Sequence, residues 1–181
     1  STNHDPDQTI PENISVSALD AAGYSSSYST GGSGVWVAGF GGEYGSTYPA
    51  MMTTDLAGCS AGYVKSGASA ANAFNNQGNH SENSSCNYTS AFNGTSSAAP
   101  VVAGGIALIL EANPDLTWRD VKHLLATTSD QVHANVGDRG ETVNGATLVV
   151  EPGWLTNGAG HKFHNWYGFG RMNVDAAVTA A

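Results

Sequence analysis

The chain has 181 residues, room for one compact domain with a buried core and little room for two. Charged residues make up 12%, about half the usual share of a soluble domain. With Lys+Arg at 6 against Asp+Glu at 15, the net charge is −9, which argues against a nucleic-acid partner because such a partner needs a cationic face. No basic amphipathic stretch suggests membrane-surface binding, and the longest apolar run, 98–110, is too short to cross a bilayer.

Glycine, at 23 residues, punctuates the chain with tight uncharged turns. The chain starts at Ser1 without Met or an apolar leader, so an upstream segment is expected to have been removed or left out. Alternating residues at 14–19 predict a strand, and 34–40, bracketed by glycines, predict a second. The surrounding run 31–45 reads as turns. It has neither the following Lys nor the helix start of a phosphate cradle. From Ser60 to Phe92 the Asn/Ser/Gly-rich sequence reads as a long surface excursion. Cys59 and Cys86, the only cysteines, would pin its base as a disulfide in an exported protein, by composition and spacing; the alternative is a zinc site that includes His80.

The character changes at Asn93. Residues 96–112 predict a helix apolar on nearly every side, one that belongs in the middle of a core. Pro100 is tolerated only near a helix start, so the start is placed close to Ser96. A second helix opens at Thr117 with Asp120 as a capping box, its apolar face formed by Trp118, Val121, Leu124 and Leu125. A strand at 146–150, an aromatic loop and a short helix over 174–181 complete the chain.

Asn93-Gly94-Thr95-Ser96 at the mouth of the buried helix is the sharpest chemical signal. Free first-turn N–H groups favour developing negative charge there, so Ser96 can act as a nucleophile or simply cap the helix. The run Gly94-Thr95-Ser96-Ser97-Ala98-Ala99-Pro100 resembles the nucleophile motif of the subtilisin-like serine proteases. The resemblance extends over the whole chain and favours the kexin/furin branch: Ile14-Ser15-Val16-Ser17-Ala18, Thr53-Thr54-Asp55-Leu56 before Cys59, Leu110 to Val121, and Trp166-Tyr167-Gly168-Phe169-Gly170 with Asp175-Ala176 beyond.

That resemblance implies an α/β fold, a parallel sheet with helices on both faces and the Ser96 helix at its centre. It makes residues 1–181 the C-terminal portion of a catalytic domain. Ser96 becomes the nucleophile of a secreted serine endopeptidase acting on peptides and proteins, with Thr95 beside the substrate. The family's triad Asp and His, and its oxyanion Asn, would lie in an N-terminal half preceding Ser1. That half is the implied partner, and the chain alone is expected to be inert. None of the six histidines, His4, His80, His123, His133, His161 and His164, stands in the family's His-Gly-Thr setting, and His161 with His164 reads as a loop pair with metal binding as the alternative.

Counting back from Ile14, Asp5 falls where the branch carries an acidic residue at the base of the P1 pocket, which implies a preference for basic P1 residues; an exposed polar turn is the alternative. Structural calcium is also implied. Thr30, however, replaces a Glu ligand of the furin branch, and no ligand set is identifiable from the sequence. The competing reading is a non-catalytic binding protein on the same scaffold.

Overall fold

The computed structural model describes residues 2–67, 69–70 and 72–181. Ala68 and Ala71, within the expected excursion, lie outside the described residues, as does Ser1. Strands β1 (Ser15–Leu19) and β2 (Val35–Phe40) pair in parallel, with Ser15 opposite Val35 and Leu19 opposite Phe40. Both match the predicted strands to within a residue.

Next come β3 (Met51–Thr54) and β4 (Tyr88–Phe92), an antiparallel ribbon. The excursion predicted to run to Phe92 therefore ends in a strand, and its partner β3 was not foreseen. Between them Cys59 and Cys86 form a disulfide, with Cα atoms 5.1 Å apart. This corrects the zinc alternative: both thiols are consumed, and His80 Nδ1 accepts the Glu82 N–H at 3.3 Å as the cap of a short 3-10 turn.

Helix α1 (Thr95–Ala112) follows, then α2 (Trp118–Thr128), whose capping box between Thr117 and Asp120 forms as expected. The hairpin β5 (Arg139–Val143) and β6 (Ala146–Glu151) turns at Asn144 and Gly145, both at positive φ. A two-residue ribbon, β7 (Leu155–Thr156) with β8 (Lys162–Phe163), leads to α3 (Val174–Ala180), capped by Asn173.

The β1–β2 pair is the spine. On one face Val37 packs with Val102 and Ile109 of α1, Val121 and Leu125 of α2, and Ala177 of α3. On the other, Leu19 and Ala38 meet Tyr167, flanked by Val132, Val136, Trp154 and Trp166. The expected α/β arrangement, a parallel pair flanked by helices, is present; within this chain α1, α2 and α3 pack on one face of the pair and loop aromatics cover the other. α1 comes close to the sheet because Gly39 has no side chain: a Cβ there would stand 2.8 Å from the Ala98 carbonyl oxygen. Residues 169–172 run along the other edge of β2, where the Ala38 N–H donates to the Gly170 carbonyl and the Met172 N–H to the Ala38 carbonyl.

α1 is not enclosed all round. Ala98, Val102 and Ile109 are buried, but Val101 (44% exposed) and Leu108 (50% exposed) stand on a bare apolar face. At 18 residues and a mean hydropathy of 1.4, α1 reaches the length and composition of a membrane span. Its packing onto β1 and β2 is that of a core helix.

Candidate active site

α1 starts one residue before the predicted Ser96, at Thr95, after Gly94 in a backbone conformation (φ 103°) that suits glycine. The N–H groups of Ser97 and Ala98 both donate to the Gly94 carbonyl, at 2.9 and 3.2 Å. Those of Thr95 and Ser96, in the first turn, have no intrahelical acceptor. Ser96 and Thr95 are exposed while Ser97 and Ala98 turn inward, so the Ser96 hydroxyl sits where backbone dipoles favour negative charge. Pro100 falls one turn later than the first-turn rule predicts. The bond it forfeits is the one that the Ser96 carbonyl would accept.

Two anchors hold this turn, and neither was foreseen from the sequence. The Gly94 N–H donates to the Tyr28 hydroxyl at 2.8 Å, and the single proton of that hydroxyl is shared between the Gly41 and Gly42 carbonyl oxygens at 2.8 and 2.7 Å. The Asn93 side-chain amide donates to the Glu43 carbonyl at 3.0 Å. The buried Glu43 carboxylate receives the Ser27 N–H and hydroxyl at 2.6 and 2.8 Å. The loop after β1 and the residues following β2 therefore fix the nucleophile turn through satisfied hydrogen bonds.

A groove of about 550 Å³ runs beside Thr95, lined by Asp7, Ile14, Val16, Tyr28 and Thr30. Asp5 is not among its lining residues. Its carboxylate caps a 3-10 turn, accepting the Asp7 N–H at 3.0 Å and the Gln8 side chain at 2.8 Å. The acid that faces this groove is Asp7, two residues on.

Among the described residues no histidine hydrogen-bonds Ser96. His123 is exposed on α2, and the His161 ring lies edge-on to those of His123 and Phe169. His133 Nδ1 lies 3.1 Å from the Tyr167 hydroxyl. His164 is buried, and its Nδ1 accepts the Trp166 N–H at 3.0 Å. The neutral ring therefore carries its proton on Nε2, which is buried without a protein partner, as are Glu151 Oε1 and Trp154 Nε1. The metal alternative for the His161–His164 loop pair finds no support: with Nδ1 of His164 accepting the Trp166 N–H, Nε2 holds the ring proton and presents no lone pair to a metal. More broadly, no three His, Cys, Asp or Glu side chains among the described residues converge to hold a metal. The calcium implied by the resemblance therefore finds no carboxylate cage among the described residues.

Burial, the largest cause, pushes the His164 imidazole below its usual pKa; Glu151 opposes this and His133 adds to it. The folded state then binds this proton less readily than the unfolded chain. His164 contributes stability that is fully present above the unfolded value, about 6.5, and is lost as pH falls through the lower folded value. His164→Gln is expected to flatten the decline of Tm between about pH 7 and pH 5, a slope of up to about 1.4 kcal/mol per pH unit for one proton. An unchanged slope in thermal melts would assign the acid sensitivity elsewhere.

A model of the subtilase family matches residues 1–170. The chain is 40% identical over 185 residues to an extracellular serine protease of Aeromonas sobria, covering 99% of this chain and 29% of that one. The solved structure of the A. sobria serine protease superposes with a TM-score of 0.88 over 98% of this chain and 30% of its own. Human proprotein convertase subtilisin/kexin type 6 is 46% identical over 93 residues, which is 51% of this chain and 8% of that protein. The chain thus spans less than a third of the length of these relatives.

Proposed function

Since the chain belongs to the subtilase family of serine proteases, we propose that residues 1–181 are the nucleophile-bearing, C-terminal portion of a serine endopeptidase catalytic domain. The observation that carries this reading is the exposed Ser96 hydroxyl on a rigidly anchored helix N-terminus. In the proposed reaction Ser96 Oγ attacks the scissile carbonyl and forms an acyl-enzyme, while the Ser96 N–H donates to the oxyanion. A His takes the Ser96 proton and returns it to the leaving amine, an Asp orients that His, and an Asn completes the oxyanion hole. These three groups come from the preceding half of the domain.

Two features support that half as the partner. The bare apolar face of α1 is the kind of surface a core helix buries. Among the described residues β1 pairs with β2 alone, whereas parallel sheets are normally larger and covered on both faces. The disulfide and the extracellular relative support secretion.

Labelling the intact protease with a fluorophosphonate, then mapping peptides, tests this reading. A stoichiometric adduct on Ser96 is expected. An unlabelled Ser96 in folded, full-length protein would overturn it and leave a binding scaffold.

A basic P1 preference belongs to the same proposal, with Asp7 rather than Asp5 as the carboxylate beside the Thr95 groove. A substrate Lys or Arg would pair with it as a charge-assisted hydrogen bond. Asp7→Asn is expected to lower kcat/KM for an Arg-P1 peptide relative to a Leu-P1 peptide by about tenfold or more. Asp5→Asn should leave that ratio nearly unchanged. If Asp5→Asn has the larger effect, the assignment is reversed.

A further inference from the structure

Tyr28 belongs both to the Thr95 groove and to the nucleophile turn. The side chain is part of the groove wall, and its hydroxyl accepts the Gly94 N–H at 2.8 Å. The proton of that hydroxyl is shared by the carbonyls of Gly41 and Gly42, the residues that follow β2. Contact there is close. A Cβ on Gly41 would stand 2.9 Å from the Gly94 carbonyl oxygen and 2.9 Å from the Tyr28 hydroxyl. One phenol oxygen therefore ties the end of the sheet to the N-cap of α1.

The backbone that carries Tyr28 is clamped on both sides. The Ser26 hydroxyl donates to the Gly42 carbonyl at 2.8 Å, and the Ser27 N–H and hydroxyl donate to the Glu43 carboxylate. Beyond Tyr28, the Ser29 hydroxyl accepts the Ala18 N–H at 3.0 Å. None of these bonds uses the phenol, so Tyr28→Phe keeps the ring in its seat and removes a single oxygen. The Gly42 carbonyl then still has the Ser26 hydroxyl. The Gly94 N–H, by contrast, loses its acceptor, and of the two anchors of the turn that between Asn93 and Glu43 remains.

We infer that Tyr28 is a positioning residue whose hydroxyl holds Ser96 in line for attack while its ring walls the groove, so that the two ends of one side chain act on different kinetic constants. The inference rests on the reading of Ser96 as nucleophile and deepens it. Displacing a reacting group by about 1 Å costs up to about a hundredfold in rate. Tyr28→Phe in the intact protease is accordingly expected to lower kcat per active site about ten- to hundredfold, with KM within about twofold of the parent. Active sites are counted by end-point labelling of Ser96 with a small dialkyl fluorophosphate. The labelling rate should fall with kcat, because it needs the same attack by Ser96 Oγ. Tyr44→Phe, which removes the hydroxyl from the ring standing edge-on to Tyr28 at 5.8 Å, should leave both constants unchanged.

A Tyr28→Phe enzyme with the parental kcat per labelled site would overturn the inference, even if fewer sites take the label. So would a change confined to KM, an equal loss in Tyr44→Phe, or a Tyr28→Phe chain that does not fold, which would make the hydroxyl a requirement of the fold. Each of these leaves Ser96 as the nucleophile. A folded parent that takes no label at Ser96 would overturn that reading and this inference with it.

Discussion

Ser96→Ala in the intact protease is expected to remove nearly all peptide hydrolysis while leaving the thermal melt unchanged. For subtilisin, a member of this family, loss of the nucleophile costs about a million-fold in kcat, and a loss of that order is expected here. Unchanged stability follows from the site: Ser96 is exposed, and the hydrogen bonds that hold the turn come from the backbones of Gly94 and Glu43 and the side chains of Tyr28 and Asn93. Single-turnover assays with a chromogenic peptide would measure the loss. A residual rate within about a hundredfold of the parent would mean that Ser96 is not the nucleophile, and a lowered melt would mean that its hydroxyl stabilises the first turn of α1 even though Gly94, and not Ser96, is the helix cap.

Gly168→Ala is expected to cost about 3–5 kcal/mol, the sum of a left-handed backbone penalty and a hard overlap. Gly168 lies at φ +59°, and a Cβ there would fall 2.3 Å from the Trp36 carbonyl oxygen and 2.8 Å from the Val37 amide nitrogen. Those are backbone atoms of β2, so no side chain can swing aside to relieve the clash. The segment after Gly168, which donates from Phe169 to the Trp36 carbonyl and continues to Met172, would be forced off the edge of the strand. Gly137→Ala, where nothing lies within 4 Å, serves as the comparison and should stay within about 0.5 kcal/mol. Denaturant midpoints on both variants would measure the difference. A Gly168→Ala midpoint indistinguishable from that of Gly137→Ala would show that the 169–172 segment yields without cost.

What could be read before the structure follows from where the apolar residues go. β1, β2, α2 and α3 carry their core-facing residues in plain periodicity, and Thr117–Asp120 announced its own cap. β3 and β5 escaped notice for the converse reason. Neither contains a residue buried in the core, so neither has a buried face to declare it. The Asn144–Gly145 turn was nevertheless a legible hairpin signal that could have paired β6 with β5. Counting along the chain reached the acidic stretch before β1 but could not tell which acid caps a turn and which faces the Thr95 groove. Tyr28 lay wholly out of reach, because its bond to Gly94 spans 66 residues and exists only once the sheet has formed. The helix α1 was found, while its bare face was not: uniform hydrophobicity tells that a helix wants to be covered, not by what.

The bridge between Cys59 and Cys86 decides what a proteolytic nick does to this chain. The stretch it encloses contains exposed, turn-rich backbone, with Lys65 and Tyr63 outward-facing, the kind of segment that is nicked first. A backbone cut anywhere between the two cysteines leaves both pieces joined through sulfur, with β3 still able to pair with β4. Such a nicked molecule would migrate as one species until a reductant is added and as two afterwards, so intactness of this chain has to be judged under both conditions.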